Sequence, residues 1–201
     1  MLGLPKSTEV NSRISKERLY ANASVTPQIR VIMQEHIESV IWRNKIAEST
    51  MAVSRGDDIE EIQVFEIQLR QRGFNKLVLS AIAKAIPYKI VFVLVFGEEV
   101  QAWIDAAGTF YGTDWQPIDV FALKFEGLNL DTVYENLARQ ISDGRLEMDG
   151  SIEDAVELDK RRQKMESEIA ALEKKLLREK QFNKQVEFSN KLKQLRKELE
   201  E

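Results

Sequence analysis

The chain of 201 residues has no cysteine, a single histidine and no long run of apolar residues. The absence of cysteine excludes disulfides, thiolate zinc sites and cysteine nucleophiles. Because His36 is the sole imidazole, no site that needs two of them can form within one chain. The longest apolar run, residues 90–96, is far too short to cross a membrane, and the N-terminal residues do not resemble a signal peptide. We therefore expect a cytoplasmic protein without membrane contact.

Sequence motifs for common cofactors are also missing. There is no Walker A loop, no GxGxxG loop, no EF-hand loop and no GxSxG nucleophile elbow. These are the motifs by which phosphates, dinucleotides, calcium and acyl groups are most readily recognised in a sequence. We accordingly predict no cofactor and no bound metal.

Charge is divided unevenly along the chain. Residues 151–201 hold 13 Lys/Arg and 12 Asp/Glu, which leaves 16 basic and 21 acidic residues in 1–150. The net charges of the two parts are therefore +1 and −5. Because a phosphate backbone is bound by clustered positive charge, we expect the acidic part to contact nucleic acid only indirectly.

Three helices of the N-terminal part are predicted from their start signals. Thr26 precedes Pro27 as a cap precedes the first helical residue, Asn75 can cap a second helix, and Asn129 or Asp131 opens a third. Strands are predicted at residues 37–46, 50–53, 59–69, 89–96, 100–106 and 118–125. The segment 89–96 is the most apolar and should be the central strand, covered on both faces. The fold class is thus α+β (mixed α/β), with one central mixed sheet flanked by helices.

The chain is predicted to have three parts. Residues 1–26 form an N-terminal arm, either as an ordered arm or with a short strand near 18–21. Residues 27–143 form the globular domain, and residues 151–201 a C-terminal helical hairpin. Within the globular domain, residues 108–117 are expected to form a loop that carries three aromatic side chains.

The hairpin is predicted from the phase of its apolar residues, which form two heptad stripes in a segment without Pro or Gly. The stripes are Met165, Ile169, Leu172 and Leu176, and then Phe188, Leu192, Leu195 and Leu199. At about 100° per residue, the interval from Leu176 to Phe188 rotates the second stripe by about 120° from the first. One straight helix would hold the stripes on different sides. We therefore predict a turn within residues 178–184 that brings them together as an antiparallel coiled coil.

A hairpin of two helices cannot enclose its own core, so its open edge should dock on its own domain or on a protein partner. Leu177, Phe182 and Val186 lie off both stripes and form the predicted edge. The predicted partner-binding residues are these three together with the two stripes.

The order of elements also permits an alternative function. Helix, strand, strand, strand, helix, strand is the order in the core of restriction-endonuclease-like nucleases, whose acidic residues hold Mg²⁺ beside a lysine. Asp57 or Asp58 would supply one carboxylate and Glu66 another, with Gln68 standing where those enzymes carry the lysine. Loss of that lysine removes a charge that stabilises the phosphoryl transition state. The alternative is therefore a divergent metal-dependent nuclease or a degenerate DNA-binding derivative.

Three segments carry a resemblance to a known family. They are residues 4–11 (LPKSTEVN), residues 128–136, which include LNLD and VYEN, and residues 179–184 (EKQFNK). With these segments the whole chain resembles the uncharacterised family called domain of unknown function 4391. Members of that family occur in bacteria, archaea and phages, and their genes tend to lie beside helicase and DNA methyltransferase genes.

The resemblance and the hairpin together imply a non-catalytic accessory or adaptor subunit. It would belong to a DNA restriction-modification or anti-phage defence assembly, and its protein partner would be a helicase or methyltransferase subunit. A second alternative is a homo-oligomeric structural protein, in which hairpins of different copies pair into a four-helix bundle.

Overall fold

The computed structural model describes residues 2–22, 25–147 and 149–200. The chain divides into two compact units, Met1–Met148 and Asp149–Glu201. The first is a mixed α/β domain and the second a helical hairpin, so the predicted fold class is confirmed. The finer boundaries at residues 26, 143 and 151 stay a prediction.

The described part of the first unit contains one mixed sheet of seven strands. The strands are β1 Glu9–Ile14, β2 Ile37–Ile46, β3 Ile62–Leu69, β4 Lys89–Phe96, β5 Glu99–Ala106, β6 Thr109–Gly112 and β7 Gln116–Pro117. They lie in the order β1-β2-β3-β4-β5-β6, and β7 also pairs with β5. Only the β3–β4 pairing is parallel, and the other pairings are antiparallel.

Six α-helices lie in the described ranges. They are α1 Lys16–Asn22, α2 Pro27–His36, α3 Lys76–Ala85, α4 Leu130–Ile141, α5 Ile152–Arg178 and α6 Phe182–Glu200. None of these six combines the length and the apolar character that a membrane crossing needs. The side chains of Thr26, Asn75 and Asn129 each accept a backbone amide in the first turn of the following helix, so these predicted caps are confirmed.

The parallel pair β3–β4 is covered on both faces. On one face, Phe65 and Phe92 pack in a cluster with Met33 of α2 and Leu79 of α3. Val64 and Val91, whose side chains point to the opposite face from Phe65 and Phe92, are fully buried as well, and α4 packs against the neighbouring strands β5 and β6. Helix α3 is the crossover that a parallel pair requires. The prediction that residues 89–96 form a central, doubly covered strand is confirmed.

The N-terminal segment differs from its prediction. Instead of a strand near residues 18–21, the chain forms α1, because Ser15 accepts the amide of Arg18 at 3.3 Å and Leu19 joins the buried cluster. The strand of this segment is β1, which pairs with β2 at the edge of the sheet.

The strand predicted at residues 118–125 is wrong in an instructive way. Phe121, Leu123 and Phe125 are buried in alternation, as in a strand covered on one side. The backbone of Lys124, however, pairs with the side chain of Gln140 on α4, with bonds of 3.0 and 2.9 Å. The Gln140 side chain thus makes the backbone hydrogen bonds that a neighbouring strand would have made, so the segment does not pair as a strand.

The strand predicted at residues 50–53 is a turn instead. The Thr50 hydroxyl donates to the carbonyl of Lys45 at 2.7 Å and accepts the amide of Ala47 at 3.0 Å. The amides of Thr50 and Met51 also donate to the carbonyl of Ala47 at 2.9 and 3.0 Å, so backbone donors of the predicted strand are used within the turn.

The loop predicted at residues 108–117 contains β6 and β7, both of which pair with β5. Ala107 and Gly108 have φ values of 45° and 78°. Positive φ at both positions suits a two-residue hairpin turn, which carries the chain directly from β5 into β6.

The second unit is an antiparallel hairpin of α5 and α6. The chain reverses between Arg178 and Phe182, inside the predicted interval. Leu172, Leu192 and Leu195 are buried together and are flanked by further residues of both stripes. The hairpin that the stripe phase predicts is therefore confirmed.

Asp131, in the first turn of α4, holds the loop that precedes β3. Its carboxylate accepts the backbone amides of Asp57 at 2.7 Å and Ile59 at 2.9 Å. Gly56 makes room for this carboxylate, because a Cβ at that position would collide with it. The loop is thus held by a residue 74 positions away in the sequence.

We expect Asp131→Ala to lower the free energy of unfolding by about 1–3 kcal/mol, because the loop amides lose their acceptor. Asp119→Ala is the matched control, since Asp119 is an exposed carboxylate. Chemical denaturation of both variants measures the difference. Equal stability of the two would show that the loop does not depend on this carboxylate.

We expect Leu195→Ala to accelerate hydrogen exchange throughout α5 and α6, whereas Leu177→Ala leaves exchange unchanged. Leu195 is 9% exposed in the hairpin core and Leu177 is 86% exposed. Removal of a buried leucine side chain typically costs about 2–5 kcal/mol. Exchange measured by mass spectrometry on the full chain compares the two variants, and similar effects of both would contradict this packing.

Candidate functional site

The predicted partner-binding residues separate into a core and an exposed group. Leu172, Leu192 and Leu195 are buried, and Ile169, Leu176 and Phe188 are partly buried against them. Met165 and Leu199, at the far ends of the stripes, are partly buried as well. These eight side chains hold the hairpin together. The three predicted edge residues are the ones left exposed.

Leu177, Phe182 and Val186 lie at the end of the hairpin where the chain reverses, and they are 86%, 74% and 43% exposed. Helical geometry places the three on one side. At about 100° per residue, Leu177 on α5 is rotated by about 100° from the stripe residue Leu176. On α6, Val186 is rotated by about 160° and Phe182 by about 120° from the stripe residue Phe188, and all three rotations have the same sense. Equal senses of rotation on two antiparallel helices point to the same side of the pair.

Two ion pairs between the helices support this assignment of sides. Glu173 and Arg196 are rotated from their stripes in the same sense as Leu177, and their side chains meet at 2.6 Å. Glu168 and Lys191 are rotated in the opposite sense, and they also meet at 2.6 Å. Each pair thus marks one side of the hairpin. We call Leu177, Phe182 and Val186 the apolar tip.

The apolar tip lies in a basic stretch of the chain. Residues 174–186 contain five basic residues and one acidic residue. Three of the basic residues, Lys174, Lys175 and Arg178, line a cavity of 420 Å³ together with Glu179 and Phe188. Sequence reasoning considered only the net charge of 151–201, which is +1, and so missed this clustering. The cluster of basic residues is visible in the sequence, but only the turn places it at the end of the hairpin.

Glu179, the single anion of this stretch, is engaged by the turn. Its carboxylate accepts the backbone amides of Gln181 at 2.9 Å and of Lys180 at 2.8 Å. The hydrogen bond from the Gln181 amide is the main reason why the pKa of this carboxyl lies below its ordinary value. Glu179 therefore closes the turn between the helices.

Glu66, the central residue of the nuclease alternative, forms a bidentate ion pair. Its two oxygens accept from the Arg43 guanidinium at 2.7 and 2.8 Å, and Gln68 donates to one of them at 2.7 Å. Glu66 is only 5% exposed. The hydrogen bond to Glu66 is also the main cause that raises the pKa of Arg43. Both carboxylate oxygens are thus used within the protein.

The other two acidic residues of the nuclease alternative lie elsewhere. The backbone amides of Asp57 and Asp58 face the carboxylate of Asp131. Asp58 lines a cavity of 450 Å³, whereas Glu66 lines a different cavity of 370 Å³. Within the described ranges, no three Asp, Glu, His or Cys side chains are grouped so that they could hold a metal ion.

Sequence reasoning missed the partners of these buried carboxylates. Arg43 holds Glu66, and Lys45 holds Glu61 at 2.7 Å. Both cations come from β2, whose register against β3 shifts between Trp42 and Asn44. No local pattern in the sequence indicates such a shift in register, so these ion pairs could not be predicted from the sequence.

The 450 Å³ cavity also went unnoticed in the sequence. Besides Asp58 it is lined by Tyr88, Asp105 and Tyr134, and the Tyr134 hydroxyl donates to the backbone oxygen of Asp105 at 2.8 Å. Burial raises the pKa of Tyr134. Lys89 places its Nζ 5.4 Å from the centre of the Tyr134 ring. These residues come from two separate loops, two strands and a helix, so only the fold assembles them.

We expect Arg43→Ala to lower the free energy of unfolding by about 1–3 kcal/mol, because it leaves the buried Glu66 carboxylate without its cation. Adding Glu66→Gln should recover part of this loss, since a neutral amide costs less to bury. Arg13→Ala, which removes an exposed arginine on β1, is the control. Denaturation of the four proteins tests the pair, and an unchanged stability of Arg43→Ala would rule out its structural role.

Comparison with known proteins yields a family and nothing finer. Neither the curated proteins nor the solved structures provide a match. A family model, described as Domain of unknown function (DUF4391), matches residues 2–199 of the 201-residue chain. The match extends over the sheet domain and the hairpin alike, as the resemblance of the three sequence segments predicts. The chain therefore belongs to the DUF4391 family.

Proposed function

We propose that this protein is a non-catalytic accessory subunit that binds a protein partner through its C-terminal hairpin. The partner is a helicase or DNA methyltransferase subunit of a bacterial restriction-modification or anti-phage defence assembly. The gene neighbourhood implied by the resemblance motivates this choice of partner. The observation that carries the binding role is the apolar tip.

The apolar tip supports the proposal because it combines exposure with position. Leu177 and Phe182 are 86% and 74% exposed, whereas the residues of the two stripes are buried or partly buried and Leu158, near the start of α5, is 41% exposed. An exposed aromatic beside an aliphatic residue is the composition of a binding anchor. Because it lies at the end of a hairpin, such an anchor can insert into a pocket of the partner, which an anchor on a flat surface could not do.

The environment of Glu66 supports a non-catalytic role. A nuclease of the alternative type would need this carboxylate for a metal ion. Here Arg43 and Gln68 occupy its oxygens. The alternative would require the bidentate pair to open before a metal could bind.

Co-expression with the proteins encoded beside the gene tests the proposal, with a helicase and a methyltransferase subunit as the neighbours that the resemblance implies. We expect one of them to co-purify with the wild-type chain and to be lost from the double variant Leu177→Ser/Phe182→Ser. The matched control is Leu128→Ser/Val120→Ser, because these side chains are 90% and 66% exposed but belong to the sheet domain. Circular dichroism should show the same helix content in all three proteins.

Two results would refute the proposal. One is that neither subunit co-purifies with the wild-type chain. The other is that the tip variant retains its subunit as well as the control does, which would move binding to another surface.

A further inference from the structure

We propose that the hairpin end recognises an acidic protein surface with an apolar pocket at its centre. This inference rests on the proposed function and specifies the chemistry of the partner. It is carried by five cations in the same stretch of chain as the apolar tip, residues 174–186: Lys174, Lys175, Arg178, Lys180 and Lys184.

Two of the five cations, Lys175 and Lys184, interact electrostatically with Glu168 and Glu179, respectively, but not through a close ion pair in the described ranges. None of the five forms a salt bridge with a residue in the described ranges. Elsewhere on the hairpin, Lys160, Lys191 and Arg196 are each paired with a glutamate. Glu179, the one anion among the five cations, bonds to the amides of the turn. Residues 174–186 thus carry a net charge of +4, whereas the rest of 151–201 holds 8 basic and 11 acidic residues, so the positive charge of the hairpin is concentrated at this end.

The helix termini explain part of this charge but not all of it. Lys175 and Arg178 lie in the last turn of α5, where a cation is favoured by the partial negative charge of the helix end. Lys180 lies in the turn just before α6 and Lys184 in the first turn of α6, where the partial charge is positive and a cation is disfavoured. The first turn of α6 also carries no acidic residue. An anionic partner would relieve this repulsion.

The apolar tip favours a protein over a nucleic acid as the partner. Phosphate groups would satisfy the cations but would leave Leu177 and Val186 against a charged backbone. A protein surface can offer an apolar pocket with a rim of carboxylates, and such complementary charge increases association rate and specificity. The side of the hairpin that bears Leu177 also bears Lys174, three residues earlier on the same helix face.

Charge reversal on the full-length chain tests this inference with the same two neighbouring subunits as probes. Lys174→Glu/Arg178→Glu is the test variant. Lys164→Glu/Lys193→Glu is the control, because it changes the net charge equally at exposed hairpin positions away from the tip. We expect the dissociation constant of the wild-type complex to rise with NaCl concentration. The test variant should raise it about tenfold at low salt, and the control less than about twofold.

Carbodiimide cross-linking gives a second readout, because it joins lysine amines directly to carboxylates in contact with them. We expect mass spectrometry to find links from Lys174, Lys175, Lys180 or Lys184 to Asp or Glu of the bound subunit. Links confined to other lysines would contradict the inference. Circular dichroism of both reversal variants verifies that the hairpin remains folded.

The outcomes separate this inference from the proposed function. If Leu177→Ser/Phe182→Ser abolishes binding while charge reversal behaves as its control, the acidic partner surface is refuted and the accessory role stands. If the wild-type chain binds neither subunit, both proposals fail. Salt-sensitive binding to duplex DNA or anionic vesicles, or self-association lost on charge reversal, would assign the cations to a different occupant and overturn the inference.

Discussion

The chain can bury both of its C-terminal apolar stripes only by reversing direction between them. Helices of this length depend on packing for their stability, and each fully buried leucine contributes about 1.5–3 kcal/mol. Leu172, Leu192 and Leu195 supply that contribution once the two helices are antiparallel. The reversal has a consequence for the residues nearest to it. The residues of the apolar tip come together at an end where neither helix can cover them.

In the sheet domain, the cost of burying a charge determines which contacts the acidic residues make. Glu66 lies on β3, which is largely buried, and a carboxylate at such a position needs a cation or several donors. Arg43 and Gln68 meet this need, and Lys45 meets the corresponding need of Glu61. Carboxylates that resemble a catalytic pattern in the sequence are thus structural in their contacts. The family model matches residues of both units, so the hairpin is a feature of the family as much as the sheet domain is.

Elements with local signals were predictable from the sequence, and those without them were not. Capping residues located the starts of α2, α3 and α4, and the apolar run at 89–96 identified the central strand. The segment 118–125 had the alternation of a strand, but its backbone partner is Gln140 on a helix. Helix α1 was missed because its burial depends on the cluster that it joins. Strand β6 was missed because its turn begins at Ala107, a residue that rarely adopts positive φ.

The sequence by itself determined the starts of α2, α3 and α4, the central strand and the hairpin, because caps, apolar runs and stripe phase act over a few turns of chain. Only the tertiary structure decided which charges meet. Arg43 reaches Glu66 across 23 positions through a shifted strand register, and Asp131 reaches the loop before β3 across 74. The basic residues around the tip are readable in the sequence as composition. They become one surface only because the packing of two helices brings the end of one beside the start of the other.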